Sequence, residues 1–294
     1  MSTDNIVEET IANILDRSLP EGGFAPLMGD TFRADATAWA VIALVASGVE
    51  RDVTRAACRR LAESQLSDGR LEAVADHPEA YWPTSLALLA WKTIPGFESE
   101  SKRAVRFLLA NSGKHVPRQG NDAAAHDTSI RGWPWIENTH SWIEPTSLSV
   151  LALNAHGYGK HERVAEAVKM ILDRQLPEGG WNYGNTTVFG KKLRPIPEST
   201  GHALCALAGN ADSDDVSVSI NYLNREADRI RTPLALSWSI FGLAAWSNRP
   251  PQMEDWILQS LALQKKYGYY DTAILSQLIV CHFTSGNLLS LLFD

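Results

Sequence analysis

Two kinds of helical segment alternate along the chain. In the first kind, as in TPLALSWSIFGLAAW, nearly every face is apolar and alanine and leucine dominate. In the second kind, as in RVAEAVKMILDRQ, apolar residues recur every three or four positions and charges occupy the opposite face. Segments of the first kind are typical of buried helices, and those of the second kind are typical of half-exposed ones. The apolar segments span 34–48, 82–94, 144–157, 198–209, 232–246 and 270–283, and the amphipathic ones span 4–17, 51–65, 99–111, 160–175, 213–226 and 252–265.

This alternation predicts six repeats of an outer and an inner helix. Each apolar segment follows a short cluster of polar residues or Pro, Thr and Ser, which are favoured at helix starts. Twelve such helices can close into a ring with the six buried helices inside. We therefore expect an all-α protein with an (α/α)6 toroid fold, formed as a single domain over 1–294. The run TTVFG at 186–190 is the only short stretch that resembles a strand.

The connections between the helices repeat a turn. The phrase QLPEGGW at 175–181 is echoed by SLPEGGF at 18–24 and, less closely, by SQLSDGR at 64–70. The glycines allow a positive φ for a tight reversal, and the glutamine amide can bond free backbone groups at a helix end. This pattern indicates a structural turn rather than a ligand loop.

These motifs resemble a known family of repeats. QLPEGGW resembles the QW-type repeat of squalene–hopene cyclases, and EPTSLSVLAL at 144–153 resembles the start of their inner helices. RGWPW at 131–135, followed by SWIEPT at 141–146, fits a third copy. The wider superfamily includes class II terpene cyclases and the β subunits of protein prenyltransferases. The resemblance implies the α/α-toroid fold but does not select one activity.

Composition and charge limit the classes of partner and the cellular compartment that we expect for this protein. The net charge of −7 disfavours non-specific binding to nucleic acid, and the ten tryptophans are many for 294 residues. The three cysteines are far apart and form no CxxC pair, which indicates buried thiols in a reducing compartment. The N-terminus has no positively charged signal region, and no apolar run is long enough to span a bilayer. We expect a cytoplasmic protein, and a peripheral membrane contact stays open.

The segment 112–140 separates the second and third repeats. It is rich in Gly, Pro, Asn and His and is long for a loop in a compact fold. Loops of this length are often functional, and the alternative is a tolerated surface insertion.

Candidate site residues follow from the ring. All inner helices begin on one rim, so residues near their starts surround the mouth of a central cavity. The acid and base candidates are Asp35, Asp271, Glu144, Glu198 and His202, with Asp35 or Asp271 as the proton donor and the other three tuning or relaying the proton. The aromatic candidates for lining the pocket are Trp39, Tyr81, Trp82, Trp142, Trp238 and Tyr270. Each has a structural alternative, because acids at helix starts serve as caps and aromatic side chains fill cores.

Acids alternating with aromatic side chains suit carbocation chemistry. A buried carboxylic acid can protonate an alkene, and aromatic faces stabilise the cation that results. The resemblance implies a DxDD motif for the acid, and Asp212–Asp215 matches it in letters. This motif opens an amphipathic segment, so we expect it to cap an outer helix on the opposite rim. YYDTA at 269–273 resembles the DDTA ending of that motif but lacks its first acids.

Three functional hypotheses remain open. The first is a terpene-cyclase-like protein that binds an isoprenoid in a central cavity, with acid-initiated cyclisation. The second is a non-catalytic toroid that binds a lipid, an isoprenoid or a peptide. The third is a zinc-dependent prenyltransferase-like protein, although no Asp-x-Cys occurs here and the His–Cys pairs are incomplete ligand sets. The sequence has no nucleotide-binding motif, and we expect no cofactor and no metal.

Overall fold

The protein is a closed ring of paired helices. The computed structural model describes residues 3–49, 51–74, 79–117 and 125–293. Each inner helix contacts the next one along the chain, and the last inner helix contacts the first. The inner helices are α2 (Ala34–Ala46), α4 (Trp82–Thr93), α6 (Ile143–Ala155), α8 (Pro197–Leu207), α10 (Pro233–Ala244) and α12 (Thr272–Phe283). The predicted all-α toroid is confirmed.

The outer helices surround this ring, each against an inner helix. On α7 the buried side chains include Val164, Ala167 and Ile171, which recur at the spacing that the amphipathic pattern predicts. The outer helices are α1 (Thr3–Leu15), α3 (Arg51–Glu63), α5 (Glu98–Ala110), α7 (Glu162–Asp173), α9 (Ser213–Ala227) and α11 (Met253–Tyr267). A short α13 (Ser290–Phe293) follows the last inner helix, and the predicted strand-like run forms β1 (Thr187–Val188), paired with β2 (Lys191–Lys192). Within the described residues, every helix is too short or too polar to cross a bilayer.

The repeated phrase forms the same turn in three repeats. In the copy after α7, the Leu176 N–H donates to the Gly180 carbonyl at 2.9 Å, and the Gly179 N–H donates to the Leu176 carbonyl. Both glycines have positive φ, 89° and 79°. A Cβ at Gly180 would lie 2.7 Å from Pro195, so both the backbone angle and the space require glycine. The turns after α1 and α3 repeat these two hydrogen bonds.

The glutamine of the turn ties it to the next outer helix. Gln175 Nε2 donates to the Asp215 carbonyl at 3.1 Å and to Ser219 Oγ at 2.7 Å, both on α9. Gln65 Nε2 donates in the same way to the Glu100 carbonyl on α5. This amide therefore links the turn to the first turn of the neighbouring outer helix, which agrees with the structural role predicted for it.

A threonine near the start of four inner helices anchors the preceding turn. Thr200 Oγ1 accepts a hydrogen bond of 3.1 Å from the Trp181 N–H, and both residues are fully buried. The same bond joins the pairs Phe24–Thr37, Leu71–Thr84 and Trp133–Thr146, each at 2.9 Å. This bond sets the register of each inner helix against its turn.

Replacing Thr200 by valine removes the acceptor and leaves the buried Trp181 N–H without a partner. We expect the free energy of unfolding to fall by about 1–3 kcal/mol, measured by urea denaturation. Thr284→Val is the control, because Thr284 Oγ1 bonds only the Val280 carbonyl of its own helix. Equal losses in the two variants would show that the turn does not depend on this bond.

The long segment between α5 and α6 is described only at its two ends. Residues 118–124 of the predicted loop at 112–140 lie outside the described residues. The described ends pair with each other: the Lys114 N–H donates to the Thr139 carbonyl at 2.8 Å, and Thr128 Oγ1 donates to the Val116 carbonyl. These bonds bring the two ends together beside the start of α6.

Candidate acid–aromatic site

Three acids occupy the same place in their repeats. Asp35, Glu144 and Glu198 each lie two residues before the threonine that anchors the turn. Two residues rotate an α-helix by roughly 200°, so these carboxyl groups lie opposite the turn and towards the ring axis. The residue two positions after each threonine shares this face, which places His202 on α8 one turn below Glu198.

Glu144 and His202 bring α6 and α8 together. The Glu144 Oε1 atom lies 3.5 Å from His202 Nε2, and the imidazole is fully buried. His202 Nδ1 lies 3.0 Å from the Glu198 carbonyl oxygen. A carbonyl only accepts, so Nδ1 carries the proton and Nε2 presents a lone pair towards Glu144. Nε2 has no hydrogen-bond partner within the described residues.

Burial makes this pair neutral near pH 7. It raises the pKa of Glu144 from 4.5 to about 8, and the neighbouring Glu198 carboxylate adds to the increase. Burial also raises the pKa of Glu198 and lowers the pKa of His202 to about 3. A neutral imidazole supplies no positive charge to ionise Glu144. Glu144 therefore keeps its proton at neutral pH and can act as an acid.

Aromatic side chains fill the ring interior next to His202. The His202 ring stacks on Trp238 with centroids 3.4 Å apart and planes 22° apart. Trp39 reaches across from α2, with its ring edge-on to Trp238 at 5.9 Å and stacked on Phe241 at 6.2 Å. The side chains of Trp39, Trp238 and Phe241 are each at most 3% exposed. The sequence predicts a central cavity, whereas this side of the ring interior is occupied by the aromatic cluster of Trp39, His202, Trp238 and Phe241.

Two glycines bring the helices of this cluster into contact. A Cβ at Gly201 would lie 2.1 Å from the Trp238 carbonyl oxygen, and one at Gly242 would lie 2.7 Å from Gly201 Cα. The backbones of α8 and α10 therefore touch at this point. The short stacking distance between His202 and Trp238 follows, because each is adjacent to this contact.

The two acids that the sequence favours as proton donors both have structural partners. Both carboxylate oxygens of Asp35 accept from Arg33, with Nε to Oδ1 at 2.9 Å. Asp271 is the N-cap of α12, and its Oδ1 accepts from the Ile274 N–H at 2.8 Å. Neither carboxyl group contacts the aromatic cluster through a described ring contact or hydrogen bond. The assignment of either residue as the donor stays a prediction.

The remaining aromatic candidates lie around the rim rather than in the cluster. The Tyr81 ring packs edge-on against Phe107 of α5, with centroids 4.9 Å apart. The Tyr270 hydroxyl donates to the Ser260 carbonyl of α11 at 3.0 Å. Trp82 and Trp142 are both half-buried: Trp82 packs on Trp135, and Trp142 precedes the first residue of α6.

The DSDD motif caps an outer helix. Asp212 is the N-cap of α9, and its N–H donates to Asp215 Oδ2 at 3.2 Å in a capping box. All four residues of the motif are exposed. The motif follows the end of α8 and therefore lies at the opposite end of the ring from Glu144.

If the motif only caps α9, substitutions in it lower the stability modestly and leave ligand binding and turnover unchanged. Asp212→Ala is expected to lower the free energy of unfolding by about 1 kcal/mol, whereas Asp214→Asn stays within about 0.5 kcal/mol of the wild type. Thermal and urea denaturation measure both changes. If Asp214→Asn abolished ligand binding or turnover without unfolding the protein, the motif would be functional and this interpretation would be wrong.

Within the described residues, no group of three or more His, Cys, Asp or Glu side chains is arranged to hold a metal ion. Burial raises the pKa of the Cys205 thiol, three residues after His202, and so opposes the thiolate form that zinc requires. The Cys281 thiol is also fully buried. These two cysteines give the zinc hypothesis no support.

Two parts of the site were missed from the sequence. Phe241 follows Trp238 by three positions, so the helical spacing that places both on one face was present. Gly201 and Gly242 carried a weaker signal, because a glycine inside an apolar helix often marks a close approach. Which helix makes that approach is decided only by the folded ring.

The fold is similar to those of enzymes with different chemistry. The type II terpene cyclase MstE from Scytonema, solved with geranylgeranyl dihydroxybenzoate as its substrate, matches with a TM-score of 0.65 and 13% identity over 97% of both chains. An α-1,6-mannanase from Salegentibacter matches with a TM-score of 0.65 and 11% identity over 97% of this chain and 99% of that chain. The ent-copalyl diphosphate synthase of Streptomyces platensis matches with a TM-score of 0.54 and 16% identity over 86% of this chain and 50% of that chain.

No protein-family model matches the sequence, and no curated protein matches it either. At these identities the structural matches show the fold alone. The terpene-cyclase-like helical fold that the QW-type motifs imply is therefore confirmed, while the activity has to be argued from the site.

Proposed function

We propose that this protein binds a linear isoprenoid at the ring mouth and cyclises it by protonation. The observation that carries the proposal is the half-buried, neutral Glu144, 3.5 Å from His202 of the aromatic cluster. Its pKa of about 8 keeps the proton on the carboxyl group at neutral pH. Transfer of that proton to an alkene carbon forms a C–H bond and leaves a tertiary carbocation and a Glu144 carboxylate.

The aromatic cluster suits the cation that follows. Trp39, Trp238 and Phe241 present faces and edges from two helices, and indole faces attract cations within about 6 Å. Loss of a proton from the cyclised cation ends the reaction and allows Glu144 to be reprotonated. His202 is a positioning residue here, because its neutral ring leaves Glu144 un-ionised and holds Trp238 in place.

Entry of a ligand requires movement. Trp39, Trp238 and Phe241 are almost fully buried, so a substrate reaches the interior only if their side-chain rotamers change. The cavities of about 450 and 390 Å³ at Ile94 and Pro95 lie at the end of α4, away from the inner-helix starts. We place the mouth at the start of the inner helices, where the Glu144 side chain keeps 21% of its surface exposed.

The test is incubation with geranylgeraniol, geranylgeranyl diphosphate and squalene in D₂O, with products analysed by mass spectrometry. A protonation-initiated cyclisation places one solvent-derived deuterium in each product. Glu144→Gln is expected to lower the rate by at least about 100-fold, since general acids contribute this much. Asp214→Asn is the control and is expected to match the wild type. Deuterium-free products, undiminished turnover by Glu144→Gln, or no cyclised product from any substrate would overturn the proposal.

A second candidate is glycoside hydrolysis by the carboxyl pair of Glu144 and Glu198. Such enzymes place two carboxyl groups across the scissile bond, with one of them ionised. Burial raises the pKa of both groups, and no described Lys or Arg forms an ion pair with either. This arrangement favours a lone proton donor. Release of reducing sugar from α-1,6-mannan, lost in Glu144→Gln, would favour the hydrolase instead.

A further inference from the structure

A smaller cavity lies beside the start of α6, outside the aromatic cluster. Its volume is about 230 Å³, enough for several water molecules. Lys114, His126, His140 and Arg174 all line it, and none of its described lining residues is acidic. Lys114 and Arg174 give the cavity a positive potential, whereas burial lowers the pKa of the His126 imidazole, so this ring offers hydrogen-bonding nitrogens rather than charge. We call it the basic pocket.

Two of these basic groups are buried with unused hydrogen-bonding atoms. His126 is 5% exposed and Arg174 is 6% exposed. His126 Nδ1 and Arg174 Nε have no hydrogen-bond partner within the described residues. Arg174 Nη1 donates to the Ser141 carbonyl, but no described carboxylate forms an ion pair with this guanidinium. Buried polar groups left unpaired are costly, so these two nitrogens favour a bound group that would pair with them.

The first repeat offers an internal comparison. Arg17 and Arg174 hold the same place in the phrases DRSLPEGGF and DRQLPEGGW, and both are 6% exposed. Arg17 Nη1 donates to the carbonyls of Pro26 and Tyr270 and to Thr272 Oγ1. Three protein acceptors therefore surround Arg17 Nη1, whereas Arg174 Nη1 has a single described acceptor, the Ser141 carbonyl, beside the basic pocket.

The acids near the pocket do not neutralise it. The Asp173 carboxylate is adjacent in sequence to Arg174, and its Oδ2 accepts from the Asp127 N–H at 2.7 Å. Burial lowers the pKa of Arg174 to about 10 despite the charge of Asp173. The positive charge is therefore only partly compensated, and an anion in the pocket would stabilise it.

We propose that the basic pocket binds the terminal phosphate of a diphosphate or phosphate ester. A tetrahedral anion offers several acceptor oxygens, which suits donors that converge from Lys114, His126 and Arg174. Trp142 also lines the pocket and lies two residues before Glu144. An anion bound there lies beside the ring mouth, where it can be a free phosphate or the head group of the isoprenoid substrate; the second source rests on the proposed function.

The test is isothermal titration with inorganic diphosphate in EDTA, which excludes a bridging metal. We expect saturable one-to-one binding that Lys114→Gln and His126→Asn each weaken at least fivefold. Lys114 is exposed, so its replacement keeps the fold and remains informative where Arg174→Gln does not fold. The matched control is Arg229→Gln, whose side chain is 79% exposed and distant in sequence. Absence of saturable binding, or binding by Lys114→Gln equal to the wild type, would overturn the proposal.

A second titration with geranylgeranyl diphosphate separates the two sources. Binding at least tenfold tighter than that of inorganic diphosphate, and weakened by Lys114→Gln, identifies the pocket as a head-group site. Equal affinities identify a free anion site, which stands even if no isoprenoid is cyclised. Tight binding that ignores Lys114→Gln would show that the prenyl chain binds elsewhere and that the pocket is not its head-group site.

Discussion

Gly201→Ala is expected to lower the free energy of unfolding by about 1–2 kcal/mol. The new methyl group would lie 2.1 Å from the Trp238 carbonyl oxygen, which no rotamer change can relieve. Forcing packed backbones apart costs about 1–3 kcal/mol and sometimes more, and the better helix propensity of alanine returns about 1 kcal/mol. The separation of α8 from α10 is also expected to pull His202 off Trp238.

Urea denaturation measures the loss, and near-ultraviolet circular dichroism reports the tryptophan environment. Gly159→Ala is the matched control, because its φ is not positive and its Cβ would meet only the movable Asn154 side chain. We expect that control to stay within about 0.5 kcal/mol of the wild type. Wild-type stability in Gly201→Ala would contradict direct contact between the two helices.

Glu144→Gln is expected to remove much of the protein's loss of stability at alkaline pH. A carboxyl whose folded pKa is raised favours folding most below its unfolded pKa and loses that advantage as pH rises through the folded value. For Glu144 these values are 4.5 and about 8. Between pH 6.5 and 8 its contribution falls by about 2 kcal/mol, at about 1.4 kcal/mol per pH unit.

His202 sets the lowest pH at which this loss of stability begins, about pH 6.5. Its folded pKa of about 3 lies below the ordinary 6.5, so its contribution is present above pH 6.5 and is lost as pH falls. Between pH 4.5 and 6.5 the native pair holds one proton on Glu144, and the unfolded pair holds one on His202. The two contributions then cancel, and the pair adds no slope in this range.

Urea denaturation at pH 6.5 and pH 9 checks the expectation. The wild type should lose about 2 kcal/mol more than Glu144→Gln between these two conditions. Glu178→Gln, at a surface position with a side chain that is 66% exposed, should keep the wild-type loss. The same loss in Glu144→Gln as in the wild type would show that Glu144 is already ionised at pH 6.5, which would also remove the proton donor from the proposed function.

Hydrophobic periodicity predicted the helices of the ring well, because the apolar positions within each helix decide which of its faces is buried. The predicted inner segment 144–157 became α6, and the predicted outer segment 213–226 became α9. The context of Asp212–Asp215 was also sufficient, since a capping box depends on residues within one turn of each other. Local interactions of this kind depend only on residues close in sequence, so the sequence predicts them.

Positions across the ring were harder to predict. Asp35, Glu144 and Glu198 share one place in the repeat, yet only Glu144 lies within 4 Å of a buried imidazole from another helix. The sequence could not distinguish these acids, because burial and partners from other helices set the pKa of a carboxyl. It also predicted a cavity where Trp39 and Trp238 fill the interior, because which side chains meet depends on how closely helices approach.

The sequence by itself determined the repeat, the turns, the order of inner and outer helices and the set of acids at the inner-helix starts. Those features rest on hydrophobic period, helix caps and glycine angles, which act within a few residues. The tertiary structure decided which acid stays protonated, which rings stack and which arginine keeps an unused donor. Arg17 and Arg174 show the reason: similar local phrases differ because the Tyr270 carbonyl and the Thr272 hydroxyl, which accept from Arg17, come from the far end of the chain.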